Sequence, residues 1–136
     1  MSERSTPPRP LTKEQATRPA MTGSCNQNEV LTRLGDKWTI MVMLQLATAP
    51  DRRLRFSAIR REVGGISQRM LTVTLRMLER NGLVIRHYFA EVPPRVEYEM
   101  SPLGYSLVPT LENFSAWIAA NWQNMEDARQ QYDRGP

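Results

Sequence analysis

The sequence of 136 residues, 40% of them apolar, is long enough for one domain with a hydrophobic core and too short for two. No apolar run approaches the length of a membrane-spanning helix, and the polar N-terminus lacks the apolar stretch of a signal peptide, so we expect neither a membrane protein nor a secreted one. The single cysteine, Cys25, cannot form an internal disulfide, which fits a reducing cytoplasm, a thiol kept for its reactivity or a thiol that pairs between chains.

The net charge of +4 is distributed unevenly along the chain. Residues 52–95 contain ten arginines against three acidic residues, whereas residues 96–136 contain two arginines against six acidic residues. A basic middle and an acidic end are typical of a protein that has one surface for a polyanion and another for assembly. A solvated surface that is simply rich in arginine explains the same distribution equally well.

The first part of the chain is predicted to be a tail followed by two helices. Residues 1–24 contain four prolines and few large apolar side chains, so we predict a flexible tail there. A short helix is predicted around Leu31, and it ends at Gly35. Asp36 is a suitable N-cap for a second helix, which we expect to be buried because residues 38–46 are apolar on nearly all sides.

Two helices separated by a tight turn are predicted in the basic middle of the chain. Apolar residues at spacings of three and four indicate a helix over residues 55–63, and Gly64 and Gly65 end it. Ser67 is a suitable N-cap for the next helix, Gln68–Arg80.

The two faces of this second helix differ in chemistry. Its inward stripe consists of leucines, namely Leu71, Leu75 and Leu78. Its outer face carries Gln68, Arg69, Thr72 and Arg76. Gln and Arg offer forked hydrogen bonding to base edges in the major groove, and Thr and Arg also reach phosphates, so we predict that this face binds DNA together with Ser67. A polar face that only meets water is the alternative.

A β-hairpin is predicted after Gly82, where the apolar period changes from 3.6 to 2. Its strands are residues 83–89 and 95–100, and Pro93 and Pro94 stiffen the turn between them. The predicted fold class is therefore mainly α with a small β-hairpin wing (α+β), a winged helix-turn-helix.

The wing supplies a second candidate contact. Arg95 follows the two prolines, so we predict that it contacts a phosphate or the minor groove. The alternative is that Arg95 pairs with Glu91 or Glu97 across the hairpin.

Ser101 and Pro102 are predicted to begin a last helix, which Pro109 should kink or delay. We assign residues 25–123 to the winged domain with its dimerisation helices and residues 124–136 to a polar C-terminal tail.

The last helix carries a longer apolar stripe than a compact winged helix needs. Its members, with one tryptophan beside the stripe, are Leu107, Leu111, Phe114, Trp117 and Ile118. This stripe predicts a homodimer, and packing on its own domain alone is the alternative. A two-fold protein would place its two recognition helices about 34 Å apart, which predicts a pseudo-palindromic operator.

Several segments taken together resemble the HxlR-type family of bacterial regulators, which are related to the MarR group. The resemblance runs from about Cys25 to Trp117 and is carried by residues 34–39, 55–56, 65–72, 75–79, 81–84 and 92–98. It implies a homodimeric cytoplasmic protein that binds double-stranded DNA and regulates transcription, and we expect a repressor. It also implies that the first and last helices build the dimer, so Leu31 joins the predicted interface.

Cys25 is a candidate redox sensor. The start of a helix favours the thiolate, and in some members of the family that the chain resembles, a cysteine at this position senses electrophiles or oxidants. A small buried residue in the dimer seam is the alternative. A small-molecule or oxidant effector is accordingly a possible partner.

Two other classes of function are weighed against DNA binding. An enzyme is disfavoured because the sequence has no Ser/His/Asp arrangement, no glycine-rich phosphate loop and no cluster of metal ligands, so we expect no catalytic residues, metal or cofactor. The alternative function is a winged-helix interaction module without specific DNA readout.

Overall fold

The computed structural model of the protein describes residues 25–135, with side chains from Gln27 onward. The tail predicted over residues 1–24 lies outside the described residues. The described residues divide into two units, residues 25–34 in the first and residues 35–135 in the second. Helix α1 (Cys25–Leu34) belongs to the first unit and confirms the predicted first helix.

The second unit has, over residues 35–135, four helices and a three-stranded sheet. In chain order its elements are α2 (Lys37–Thr48), a 3-10 turn (Pro50–Arg52), β1 (Arg53–Arg55), α3 (Phe56–Val63), α4 (Gln68–Arg80), β2 (Val84–Phe89), β3 (Arg95–Met100) and α5 (Pro102–Arg134). Helix, turn, helix and hairpin in this order confirm the predicted winged helix-turn-helix.

Helix α2 is the centre of this unit. The carboxylate of Asp36 accepts a hydrogen bond from the backbone N–H of Trp38 at 3.0 Å, so the predicted N-cap is confirmed. Val42, Met43 and Leu46 are fully buried, because α2 packs against α3, α4, α5 and β3. The other elements are therefore arranged around one apolar helix.

The sheet has one strand more than the sequence predicted. The hairpin of β2 and β3 is confirmed, but β1 pairs antiparallel with the other side of β3, giving the order β1-β3-β2. Arg53 lies opposite Glu99, and Arg55 lies opposite Glu97. A three-residue strand that contains two arginines shows no apolar alternation to identify it.

The start of α5 is joined to the end of α4 through one hydroxyl. Ser101 Oγ accepts a hydrogen bond from the backbone N–H of Gly104 at 3.0 Å and donates one to the carbonyl oxygen of Gly82 at 2.6 Å. The predicted cap is confirmed. The start of α5 is not delayed, since Pro109 lies inside the helix.

The C-terminal tail predicted over residues 124–136 is wrong, because α5 continues to Arg134. Polar side chains one turn apart stabilise this part of the helix: Gln123 donates to Asp127 at 2.9 Å, and Arg129 pairs with Glu126. In residues 25–135 no helix has both the length and the apolar character that crossing a membrane requires.

Candidate nucleic-acid interface

The turn between α3 and α4 fixes how α4 begins. Gly64 and Gly65 have φ of +71° and +76°, a left-handed conformation that suits glycine and would strain other residues. Ile66 is buried, and its carbonyl oxygen accepts a hydrogen bond from Arg60 Nε at 3.3 Å. Ser67 Oγ accepts one from the backbone N–H of Met70 at 3.0 Å and caps α4, as predicted. The start of α4 is thereby held in place.

Helix α4 has one face in the core and one in solvent. Leu71, Leu75 and Leu78 are fully buried, as the sequence predicted. Gln68, Arg69 and Arg76 are exposed on the opposite side. The helix is therefore anchored along its apolar stripe, while its outer face is open to a ligand.

The two arginines of this outer face keep their charges uncompensated. Within residues 27–135, neither Arg69 nor Arg76 forms an ion pair or a side-chain hydrogen bond. The side chain of Gln68 likewise has no partner in this part of the chain. All three are free to bind an external group.

Thr72, also predicted to bind DNA, makes a local hydrogen bond. It is half-buried, and its hydroxyl donates to the carbonyl oxygen of Gln68 at 2.8 Å. The methyl group of Thr72 is consequently the part of this side chain best suited to contact a base.

The structure places Arg95 in the alternative arrangement, paired across the wing. Its guanidinium lies 3.0 Å from Glu91 Oε2 and 3.0 Å from Glu97 Oε2, and it stacks 4.0 Å from the centroid of the Phe89 ring. The wing folds two carboxylates and an aromatic ring around this one cation. Of the two alternatives for Arg95, the structure therefore shows the pairing across the hairpin and not an unpaired cation at the wing's edge.

Glu97 links the wing to β1. Its Oε1 accepts a hydrogen bond from Arg53 Nε at 2.7 Å, while Oε2 faces Arg95. This bond with Arg53, aided by the charges of Arg53, Arg95 and Arg55, holds the pKa of Glu97 below its ordinary value of 4.5, against the opposing effect of burial. The carboxylate is therefore ionised at neutral pH and fixes the position of β1.

A groove of about 580 Å³ separates α4 from the wing. Gln68 and Thr72 line it from α4, Arg55 and Phe56 line it from the start of α3, and residues 91–96 line it from the wing. Arg55 was missed in the sequence, although its position in the arginine-rich segment 52–55 was a signal that could have identified it. The groove brings together three predicted DNA-binding residues, Gln68, Thr72 and Arg95, and one unpredicted cation, Arg55.

The predicted interface residues of α5 differ in their exposure. Leu111 is only 7% exposed and belongs to the core of its own protomer, which is the alternative that the sequence left open for this stripe. Leu107 is half-buried. Phe114, Trp117 and Ile118 are exposed.

The remaining predicted residues lie in the first unit. Leu31 is exposed on α1. Cys25 is the first residue of α1, and its side chain lies outside the described part of the chain. Among the residues that the structure describes, no three His, Cys, Asp or Glu side chains are grouped so that they could hold a metal ion.

Comparison with known families agrees with this architecture. The model of the HxlR-like helix-turn-helix family matches residues 33–126. The chain belongs to this family. The resemblance seen in the sequence is thereby confirmed, and so is the prediction that the chain is not an enzyme, because HxlR-like proteins are regulators of transcription.

Individual HxlR-like relatives match over most of their length. An uncharacterized HTH-type transcriptional regulator of Methanothermobacter thermautotrophicus is 44% identical over 93 residues, 68% of this chain and 69% of the relative. The solved structure of ytfH from Salmonella typhimurium, assigned as a transcriptional regulator, has a TM-score of 0.72 and 32% identity and covers 79% of this chain and 93% of its own. The redox regulator HypR in its reduced form has a TM-score of 0.65 and 33% identity and covers 75% of this chain and 98% of its own.

Proposed function

We propose that this HxlR-like protein regulates transcription by sequence-specific binding to double-stranded DNA, with α4 in the major groove. The outer face of α4 carries the proposal. Gln68, Arg69 and Arg76 are exposed there, and none of their side chains has a partner within residues 27–135. A helix anchored by buried leucines that presents free forked donors meets the requirements of major-groove readout.

Each residue of this face has a role that its chemistry supports. Arg69 and Arg76 carry five N–H donors each and suit the O6 and N7 acceptors of guanine, while Gln68 suits adenine. Thr72 contacts a thymine methyl group through its own methyl. Ser67 accepts a backbone hydrogen bond as the cap of α4 and keeps its hydroxyl proton for a phosphate.

A homodimer is supported by the outer half of α5. After Leu111 no described residue of α5 is buried, although residues 112–134 make up most of the helix. Large apolar side chains are exposed there, namely Phe114, Trp117, Ile118, Trp122 and Met125. An exposed apolar surface of this kind marks an interaction site, and a second copy of the same helix is self-complementary to it.

Dimerisation also defines the operator that we propose. A two-fold axis between the α5 helices repeats α4 on both sides, and a pseudo-palindrome whose half-sites lie about 34 Å apart fits that symmetry. Occupation of such a site would repress a promoter that overlaps it. Repression, a small-molecule effector and a cytoplasmic location stay predictions.

We also propose that Cys25 makes DNA binding sensitive to oxidants. Cys25 begins α1, where the positive end of the helix dipole favours the thiolate, and the similar protein HypR is a redox regulator. Oxidation would convert the thiolate into a sulfenic acid or into a disulfide with the second copy. The test is to measure operator affinity before and after treatment with a mild oxidant, in the parent and in Cys25→Ser. We expect a loss in the parent only, and an unchanged affinity of fully oxidised parent protein would refute this role.

The test of DNA readout begins with selection of bound duplexes from a random pool. Affinity for the selected duplex is then measured for the parent, Arg69→Ala and Arg76→Ala. We expect each variant to lose about 1–3 kcal/mol of binding free energy toward the selected duplex and less toward unselected DNA, because a bidentate contact to a base is removed.

Arg134→Ala is the matched control. It removes the same charge from the end of α5, where Arg134 contacts only Gln131 within the described chain, and we expect parental affinity. If no duplex is enriched, or if both α4 variants bind as the parent does, the alternative of a winged-helix interaction module replaces this proposal.

A further inference from the structure

Two of the arginines that the wing region could offer to DNA, Arg53 and Arg95, are paired on the polar face of the sheet. Arg53 donates to Glu97 at 2.7 Å and lies 4.0 Å from Glu99, whose other contact is His87 Nε2 at 2.8 Å. Arg95 is held by Glu91 and Glu97. The side chains of Arg53 and Arg95 are also mostly covered, with exposures of 32% and 25%. Both cations are neutralised within the protein.

Arg55 is different, although it belongs to the same cluster. The strand register places it directly opposite Glu97, but both carboxylate oxygens of Glu97 are taken by Arg53 and Arg95. Arg55 is exposed, and within residues 27–135 it forms no ion pair or side-chain hydrogen bond. Its guanidinium therefore has no hydrogen-bonded or ion-paired partner in this part of the chain, and it acts on Glu97 only through the longer-range effect of its charge.

The position of Arg55 puts that charge beside the reading face. Arg55 lines the groove of about 580 Å³ together with Gln68 and Thr72, and the wing residues 91–96 form the opposite wall. When α4 lies in the major groove of DNA, a strand of the duplex must pass between α4 and the wing, because these two elements form the walls of the groove of the protein. A phosphate of that strand is the group that an unpaired arginine would bind there.

We propose that Arg55, and not Arg95, provides the backbone-phosphate contact between α4 and the wing. Arg95 instead holds the wing in shape through Glu91, Glu97 and the Phe89 ring. This assignment rests on the proposed function, since it presupposes duplex DNA on the outer face of α4. It gives Arg55 a contact that is independent of base sequence.

The test is the salt dependence of binding to the selected duplex and to an unselected one. For Arg55→Gln we expect affinity for both duplexes to fall by the same factor. We also expect the slope of log K against log salt concentration to fall by about 0.9 for each Arg55 removed, and thus by about twice that in a dimer. Arg55→Lys keeps the charge and should restore the slope. The side chain of Arg55 makes no capping hydrogen bond to α3, so the helix loses no cap in either variant.

The matched control is the double variant Glu91→Gln/Arg95→Gln. It removes one charge of each sign from the wing; loosening of the wing lowers the affinity, but we expect the parental slope, because the number of neutralised phosphates does not change. A reduced slope in this control together with a parental slope in Arg55→Gln would assign the phosphate to Arg95 and overturn the proposal. Loss of affinity in Arg55→Gln for the selected duplex alone would also overturn it, because Arg55 would then contact a base.

The same measurements separate this proposal from the proposed function. If Arg55→Gln binds as the parent does while Arg69→Ala and Arg76→Ala lose affinity, the phosphate contact is refuted and DNA readout by α4 stands. If none of these variants alters binding, the proposed function fails and the role of Arg55 fails with it.

Discussion

Three helices of the second unit are preceded by a capping residue whose side chain accepts a hydrogen bond from a backbone N–H of the first turn. Asp36, Ser67 and Ser101 accept from N–H groups two or three residues ahead of them. Each bond closes within one turn of the chain, so the local sequence is sufficient to predict it. Helix α3 begins at Phe56, and Arg55 at its N-cap position makes no such bond; the sequence predicted the start one residue too early, at Arg55.

The partners of the arginines were harder to predict from sequence. Arg53 binds Glu97, which lies 44 residues further along the chain, because β1 pairs with β3. As a result of that pairing, Glu97 forms its ion pairs with Arg53 and Arg95, and Arg55 has no ion pair in the described chain. Sequence analysis therefore selected Arg95 as the free cation of this region, whereas the structure leaves Arg55 free.

At the scale of elements, the first turn of α5 lies close against the backbone of the residue that precedes β2. A Cβ atom added at Gly104 would lie 2.1 Å from the carbonyl oxygen of Leu83 and 3.1 Å from Met100 Cγ. Only glycine allows the helix to approach this backbone so closely. Through Ser101, the same contact sets the direction in which α5 leaves the domain.

We therefore expect Gly104→Ala to destabilise the fold by about 1–3 kcal/mol, because the backbone must shift to accommodate the added methyl group. Urea denaturation at a fixed protein concentration measures the effect, since association also changes apparent stability. Ser115→Ala is the control: it lies on the exposed part of the same helix and should have parental stability. Equal midpoints for Gly104→Ala and the parent would show that α5 does not require this close approach.

Helix α4 illustrates how one element combines stability and function. Its leucine stripe and its polar face both follow from helical periodicity, so the sequence predicted each of them correctly. Periodicity does not predict which polar side chains remain unpaired. Thr72 donates to the carbonyl oxygen of Gln68 within the helix, while Arg69 and Arg76 have no partner in the described chain.

At the scale of the whole molecule, α5 is longer than its packing within the second unit requires. Its 33 residues correspond to a length of about 50 Å, and only its first three turns contribute buried side chains. The exposed apolar residues on the remainder are the basis of the proposed homodimer.

We expect the parent to have twice the chain mass of 15.7 kDa in solution and Phe114→Asp to weaken the dimer about thirtyfold or more. The reason is that loss of a buried aromatic anchor from an interface typically costs about 2 kcal/mol or more. Sedimentation velocity over a range of concentrations measures both quantities.

Phe114→Leu keeps an apolar side chain at the same position and should remain largely dimeric. A parent that sediments as a monomer at micromolar concentration would contradict the proposed assembly. A dimer that Phe114→Asp leaves intact would place the interface elsewhere on the molecule.

The sequence by itself determined the winged helix-turn-helix, helix α2 with its buried apolar residues, helix α4 with its apolar and polar faces, and the family. These features depend on caps, turns and apolar periodicity, which are interactions between residues close in the chain. The extent of α5 also depends on local interactions, but a polar composition concealed it, since polar side chains one turn apart stabilise a helix without an apolar stripe.

Only the tertiary structure decided that β1 joins the sheet, that Arg95 is neutralised while Arg55 is free, and that Leu111 belongs to the core. Each of these results depends on groups distant in sequence that come together only when the elements pack. The sequence shows how many arginines a region contains, but the carboxylates that the fold brings near them determine which of these arginines can bind DNA.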